Sequence, residues 1–143
     1  MGLNSGTSAT TKPASCKAAA RSFSKKWAGR GYEKGDTPSF WLELLRDVVG
    51  MEDVTTNVLF EQRTSRRGFI DVTIADAKTI IEQKSLGVDL DKPEERQGVM
   101  VTPFEQARNY ANTLPKSQRP AYIIVCDFNI FRIHNLHKEN QES

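Results

Sequence analysis

The sequence predicts an α/β domain, a mixed β-sheet flanked by helices, on three observations. Two stretches of helical apolar spacing give way at Asn57 to the alternation of strands. A further helix with its own start signals then separates one pair of strands from another. And 143 residues, 38% of them apolar with 9 glycines besides, suffice for one buried core but not for two.

Residues 1–14 are rich in Ser, Thr, Gly, Ala and Asn and lack the large apolar groups that repay ordering, so they are expected to form a flexible tail. A first helix is expected from Ser15 to Ala28, where Phe23 and Trp27 are four apart and share a face. Gly29, Gly31 and Gly35 interrupt it. A second helix is expected with Thr37 as cap and Pro38 at its first position. Phe40, Trp41, Leu44, Leu45, Val48 and Val49 form its apolar stripe, and Gly50 ends it.

Val58 to Phe60 reads as a strand. Gly68 to Ile74 and Lys78 to Lys84, both rich in β-branched residues, read as a β-hairpin closed through Ala75-Asp-Ala77. Residues 85–102 hold no sustained period and are expected to be a mobile loop. Thr102-Pro-Phe-Glu105 combines a capping box with proline at the first helical position, opening a helix that runs to about Leu114. Ala121 to Cys126 and Ile130 to His134 are two last strands. The domain is thus expected over 15–136, with 137–143 a polar tail or the start of a linker.

Composition narrows the function. No apolar run approaches the roughly 20 residues needed to cross a bilayer, so a soluble, cytoplasmic protein with no membrane partner is expected. Cys16, Cys126, His134 and His137 are too few for a disulfide framework or a zinc cage. Net charge is only +2, but residues 1–67 carry 11 basic and 7 acidic groups (+4) and residues 68–143 carry 9 and 11 (−2). Such asymmetry permits a basic surface beside an acidic pocket as well as two ordinarily solvated faces.

The hairpin carries the chemistry. With Asp76 and Ala77 at the tip, position 75 faces 78 and, down the ladder, Asp71 faces Glu82. A four-residue loop keeps the same register and suits Asp-Ala better than a two-residue primed turn. Two like charges side by side are destabilising unless one is protonated or a cation lies between them. Alternation puts Lys84 on their face and Ile70, Val72, Ile74 and Ile81 on the other. Two carboxylates beside an ammonium, on strands rather than on a loop, suit a magnesium-dependent phosphodiesterase. The alternative is a solvated hairpin face whose charges merely neutralise one another. The apolar approach Ile80-Ile81 to Glu82 argues against it, because charge in a buried strand is expensive.

Asp71, ten intervening residues and Glu82-Gln-Lys84 resemble the D-x(n)-E-x-K signature of the PD-(D/E)XK nuclease superfamily, whose fold is restriction-endonuclease-like. Gln106-Ala-Arg-Asn-Tyr110 is similar to the Q-x-x-x-Y element of several of its nucleases. Over residues 20–136, further segments look like the N-terminal domain of MmeI-like (type IIL) restriction-modification enzymes and related DNA methylases. They are Phe23 to Trp27, Phe40-Trp-Leu-Glu-Leu-Leu45, Arg67-Gly-Phe-Ile-Asp71, Ile80 to Ser85, Tyr122 to Phe128 and Phe131-Arg-Ile133.

The resemblance implies a Mg²⁺-dependent DNA endonuclease, with Asp71 and Glu82 as metal ligands and Lys84 as the catalytic lysine. It also implies a helical connector, an adenine methyltransferase using S-adenosylmethionine and a target-recognition region, none of them in these 143 residues. The chain is therefore expected to be an N-terminal fragment or a short relative acting on double-stranded DNA in a prokaryote, with a second copy for cutting both strands. The alternative is an inactive nuclease-fold domain that binds DNA or a partner within a methylase. Ile70 replaces the proline of the superfamily name, and Leu86 to Val101 is longer than the pattern requires, an insertion placed to cover the site or meet DNA.

Glu43 is a further acidic candidate for the metal, and Glu33 another. Gln106, Tyr110, Arg63, Arg66 and Arg67 are the candidates for DNA contact, then Lys25, Lys26 and Arg30, which would bind phosphates without reading bases. Cys126 is expected to be buried packing rather than a nucleophile, since no third group supports His134.

Overall fold

A computed structural model describes residues 16–64 and 68–138. The expected tail 1–14, Ser15 at the start of the expected first helix, the last tail beyond Lys138, and the candidates Arg66 and Arg67 lie outside the described residues.

Residues 16–27 are helical (α1), and α2 spans Glu33–Glu43 and continues as a π-helical stretch, Leu44–Val49. A short helix α3 (Val54–Asn57) leads into β1 (Val58–Arg63), β2 (Phe69–Ile74) and β3 (Thr79–Gln83). A small hairpin follows, β4 (Glu94–Arg96) and β5 (Val99–Val101), then α4 (Pro103–Asn112), β6 (Tyr122–Cys126) and β7 (Phe131–Asn135). The main sheet has the order β1-β2-β3-β6-β7, with β3 and β6 parallel and every other neighbouring pair antiparallel. Helix α4 makes the crossover that a parallel pair requires. This five-stranded mixed sheet flanked by helices is compatible with a restriction-endonuclease-like fold.

Three expectations change. Helix α2 opens at Glu33, a turn before Thr37, so Gly35, Thr37 and Pro38 lie inside it. Its start is held instead by Tyr32 N–H donating to Asp36 Oδ2 at 3.0 Å and Glu33 N–H to Ser85 Oγ at 3.0 Å. Proline at 38 costs only the bond to Lys34 O, near enough to the helix start to be tolerated. Second, the expected loop 85–102 contains the β4–β5 hairpin, turned at Gln97 and Gly98 with φ of 53° and 81°. Third, Ile70 packs with the cluster on the α4 face, away from Val72 and Ile74.

The sheet is covered on both sides. Toward α1 and α2, Phe40 is fully buried with its ring centroid 4.9–5.6 Å from Phe23, Trp27, Trp41 and Phe128, spacings at which aromatic pairs attract beyond their area burial. Toward α4, the small side chains Ala107 and Ala111, one turn apart, let the helix approach Ile80, Ile123 and Val125. The capping box forms as expected: Glu105 N–H donates to Thr102 Oγ1 at 3.1 Å and Thr102 N–H to Glu105 Oε1 at 2.9 Å. Gly50, at φ 81°, ends the second helix in the left-handed region open to glycine. Among the described residues no helix is long and apolar enough to cross a membrane.

Candidate active site

Strand β3 is buried along its whole length, β2 and β6 flanking it, so any charge at its end is held rigidly and out of bulk water. The register is Val72 to Ile81, Thr73 to Ile80 and Ile74 to Thr79, with a four-residue turn at 75–78, as the ladder arithmetic requires for Asp71 opposite Glu82. The paired ladder stops at Val72. There the Asp71 carboxylate accepts the Gln83 N–H at 2.8 Å, standing in for a backbone carbonyl, while the Lys84 N–H stays on the β6 side with Cys126 O at 2.7 Å. Strands β2 and β3 part at this point, which is also where Ile70 changes faces.

The parting opens a hollow of about 560 Å³ lined by Asp71, Glu82, Lys84, Glu33, Gln106 and Tyr110, with Lys34 and Arg96 among its other walls. Glu82 and Lys84 are 6% and 3% exposed, and Lys84 Nζ lies 3.9 Å from Glu82 Oε2. Burial raises the Asp71 carboxyl above its ordinary value, against the opposing pull of the Gln83 N–H. Burial, then the charge of Asp71, raises Glu82 well above its own. The interaction of the two carboxyls further lowers Asp71 and raises Glu82.

Such a pair fits a hard divalent cation. Both donors are oxygens, and a cation would add positive charge beside that of Lys84, against the burial and mutual repulsion that raise both carboxyls. Among the described residues no group of three or more His, Cys, Asp or Glu is gathered to form a full cage. The other coordination positions would fall to water and substrate oxygens, the arrangement magnesium favours.

This geometry sets a pH dependence. Both carboxyls bind protons more tightly folded than unfolded, so above the ordinary Glu value of 4.5 the folded state holds more protons. Stability therefore falls as pH rises from that value toward the folded value of Glu82. The metal-free domain is expected to melt at a lower temperature at pH 8 than at pH 5. Asp71→Asn should flatten this dependence and raise the pH 8 melting temperature by a few degrees, about 1 kcal/mol. Calorimetry in EDTA checks it, and an unchanged slope in D71N would contradict the assignment.

Helix α4 supplies the opposite wall. Gln106 Nε2 donates to Tyr110 Oη at 3.2 Å, so the two side chains act as one unit. Tyr110 lies over Gly68 so closely that a Cβ there would come 2.6 Å from its hydroxyl oxygen. Glu33 enters because α2 is tied to the end of β3, through Ser85 Oγ and through Leu86 N–H on Gly31 O at 2.9 Å. Burial raises its carboxyl too, with Lys84 opposing.

Other candidates lie elsewhere. Glu43 is bound by Lys26 and by Trp27 Nε1 at 3.0 Å, in a separate cleft between α1 and α2, so the structure does not bring it to Asp71 and Glu82. Arg63 lines another cleft with Leu59, Ile70 and Thr73, its guanidinium 5.9 Å from the Phe69 ring centre. Arg30 stacks over Trp27 at 4.1 Å, and Lys25 is exposed on α1. Cys126 is fully buried, its thiol pushed up to about 12 by burial, and His134 stacks on Phe104 across the sheet.

Sequence reasoning missed Glu94, Arg96 and Lys34 as wall or neighbour residues. The signal available for the first two was Gln97-Gly98, a two-residue turn. It also missed the Gln83 side chain. On the opposite face from Glu82, Gln83 accepts from Trp41 Nε1 at 2.7 Å and donates to Lys84 O at 3.0 Å and Cys126 O at 3.1 Å.

No curated protein and no solved structure matches this chain. One family model does, that of the MmeI N-terminal domain, over residues 18–143. The match takes in every residue of the hollow. The chain accordingly belongs to the MmeI N-terminal domain family, and is a domain related to restriction enzymes.

Proposed function

We propose that this domain is a Mg²⁺-dependent endonuclease that hydrolyses DNA phosphodiester bonds. It would be the cleavage module of a methyltransferase-fused restriction-modification enzyme. The observation that carries the reading is the meeting of Asp71, Glu82 and Lys84, on two adjoining strands, in one hollow reachable by solvent. A cation bound there supplies positive charge against the charge that develops on the phosphate. Asp71 and Glu82 would hold it, their positions fixed by the ladder and by the Gln83 N–H. Lys84, an ammonium donor on a buried stem, orients the attacking water and a phosphate oxygen. Gln106 and Tyr110, across the hollow, keep the DNA backbone in register. Double-strand cleavage would need a second copy, and sequence choice would come from a target-recognition region.

Nicking of supercoiled DNA with Mg²⁺ or Mn²⁺, against EDTA, tests the reading. Conversion to open circles by the wild-type chain and not by Asp71→Asn is expected. Equal conversion by both proteins, or none by the wild type in either metal, removes it.

A further inference from the structure

The β4–β5 hairpin sets a second charge arrangement against the hollow. Glu94 Oε2 lies 3.6 Å from Lys84 Nζ and 3.1 Å from Arg96 NH2, so one carboxylate oxygen sits between two cations. That is the position a phosphate oxygen would take in a site for a polyanion. Lys84 is fixed in the sheet, whereas the side chains of Glu94 and Arg96 are 38% and 46% exposed and free to exchange partners. Arg96 lines the hollow together with Asp71, Glu82 and Lys84. Its guanidinium is a planar donor fork suited to phosphate.

The hairpin that carries these groups is slight. Its strands are three residues each, and Val99 and Met100 on it are 60% and 62% exposed. Little apolar burial holds it in place, so its ion pairs at the hollow weigh correspondingly more.

We infer that Arg96 is a phosphate-binding residue of this hollow, and that Glu94 holds the phosphate's place between Lys84 and Arg96 until DNA displaces it. The inference rests on the DNA-binding part of the proposed function and not on cleavage. Glu94 thereby keeps two cations from attracting other anions, and its displacement makes both available at once.

The test is fluorescence-anisotropy titration of a labelled DNA duplex of about 30 base pairs, over a NaCl series in Ca²⁺, with the 143-residue chain. Arg96→Gln should weaken binding about fivefold and reduce the salt slope by about one. Glu94→Gln should tighten it by a similar factor, more than Glu95→Gln on the exposed neighbour. In the double variant the gain from Glu94→Gln should shrink, since one of the two freed cations is gone. An unchanged affinity and slope in R96Q, or E94Q no tighter than E95Q, overturns the inference, as does a wild type that does not bind duplex DNA. Nicking of supercoiled DNA in Mg²⁺ is read in parallel with the same proteins. Binding shifts without nicking sink the nuclease reading alone, and nicking without binding shifts sinks this inference alone.

Discussion

Asp71→Asn, Glu82→Gln and Lys84→Met each reduce Mg²⁺-dependent nicking by about a thousandfold or more, while the domain stays folded. The size follows from what each group does at the phosphate. Removing one electrostatic stabiliser from a preorganised site costs on the order of 10²–10³. The loss of one of two carboxylates would also weaken cation binding itself. Groups acting as one unit are strongly non-additive, so D71N/E82Q should be scarcely worse than either single variant. Folding is preserved for a reason specific to this site. Burial and the charge of Asp71 both disfavour a charged Glu82, so replacing either carboxylate by its amide relieves repulsion, and Glu94 at 3.6 Å stays beside Lys84 when Glu82 is changed. In D71N the side-chain oxygen remains to accept the Gln83 N–H. Lys84→Met keeps the buried stem and removes a charge 3.9 Å from Glu82 and 3.6 Å from Glu94, one of which is half-exposed and can turn to water. Nicking rates are to be read beside circular dichroism and melting temperature. Any one variant within threefold of wild type, while folded, removes that residue from the catalytic set.

The register of Asp71 against Glu82 was legible because ladder arithmetic is rigid. Once residues 75–78 are the turn, Asp71 must face Glu82, whatever the details of the loop. The start of α4 was legible for a similar reason, since Thr102, Pro103 and Glu105 satisfy its first orphan donors locally. The failures share the opposite cause, an interaction between segments far apart in the chain. Helix α2 begins early because Ser85, 52 residues on, accepts the Glu33 N–H. Ile70 leaves its expected face where the β2–β3 ladder ends, the Asp71 side chain takes the Gln83 N–H, and the facing residue of β1, Glu61, has a φ of 51°. The hairpin carrying Glu94 and Arg96 has no apolar alternation to announce its first strand, and only Gln97-Gly98 marks its turn. Glu43 has the right chemistry for the site, but its partners Lys26 and Trp27 sit on α1, and no local pattern reveals that.

Gln83→Ala lowers the unfolding free energy by about 3 kcal/mol, and it reduces nicking even where the protein is fully folded. Gln83 is 1% exposed and makes three side-chain bonds, which tie α2 through Trp41, its own strand at Lys84 O, and β6 at Cys126 O. Truncation leaves the buried Trp41 N–H without its acceptor and opens a void. Orphaning a buried group costs roughly 1–3 kcal/mol, and the lost packing adds to it. Cys126 O keeps the Lys84 N–H, which limits the total. Replacing both ends of the Trp41 bond by apolar groups is the discriminating control. Gln83→Met with Trp41→Phe should be more stable than the sum of the single variants by about 1 kcal/mol, because no indole N–H is then stranded. The functional part follows from position. Gln83 stands between Glu82 and Lys84, and its side chain anchors the backbone segment that aims both into the hollow. A displacement of about 1 Å there is enough to cost on the order of 10² in rate. Urea unfolding gives the stability term, and nicking well below the melting temperature gives the rate. Should Q83A unfold within 0.5 kcal/mol of wild type, the bridge carries no weight in the fold. Should it be destabilised but cut at the wild-type rate, the bridge supports the core and leaves the aim of Glu82 and Lys84 to the strand pairing alone.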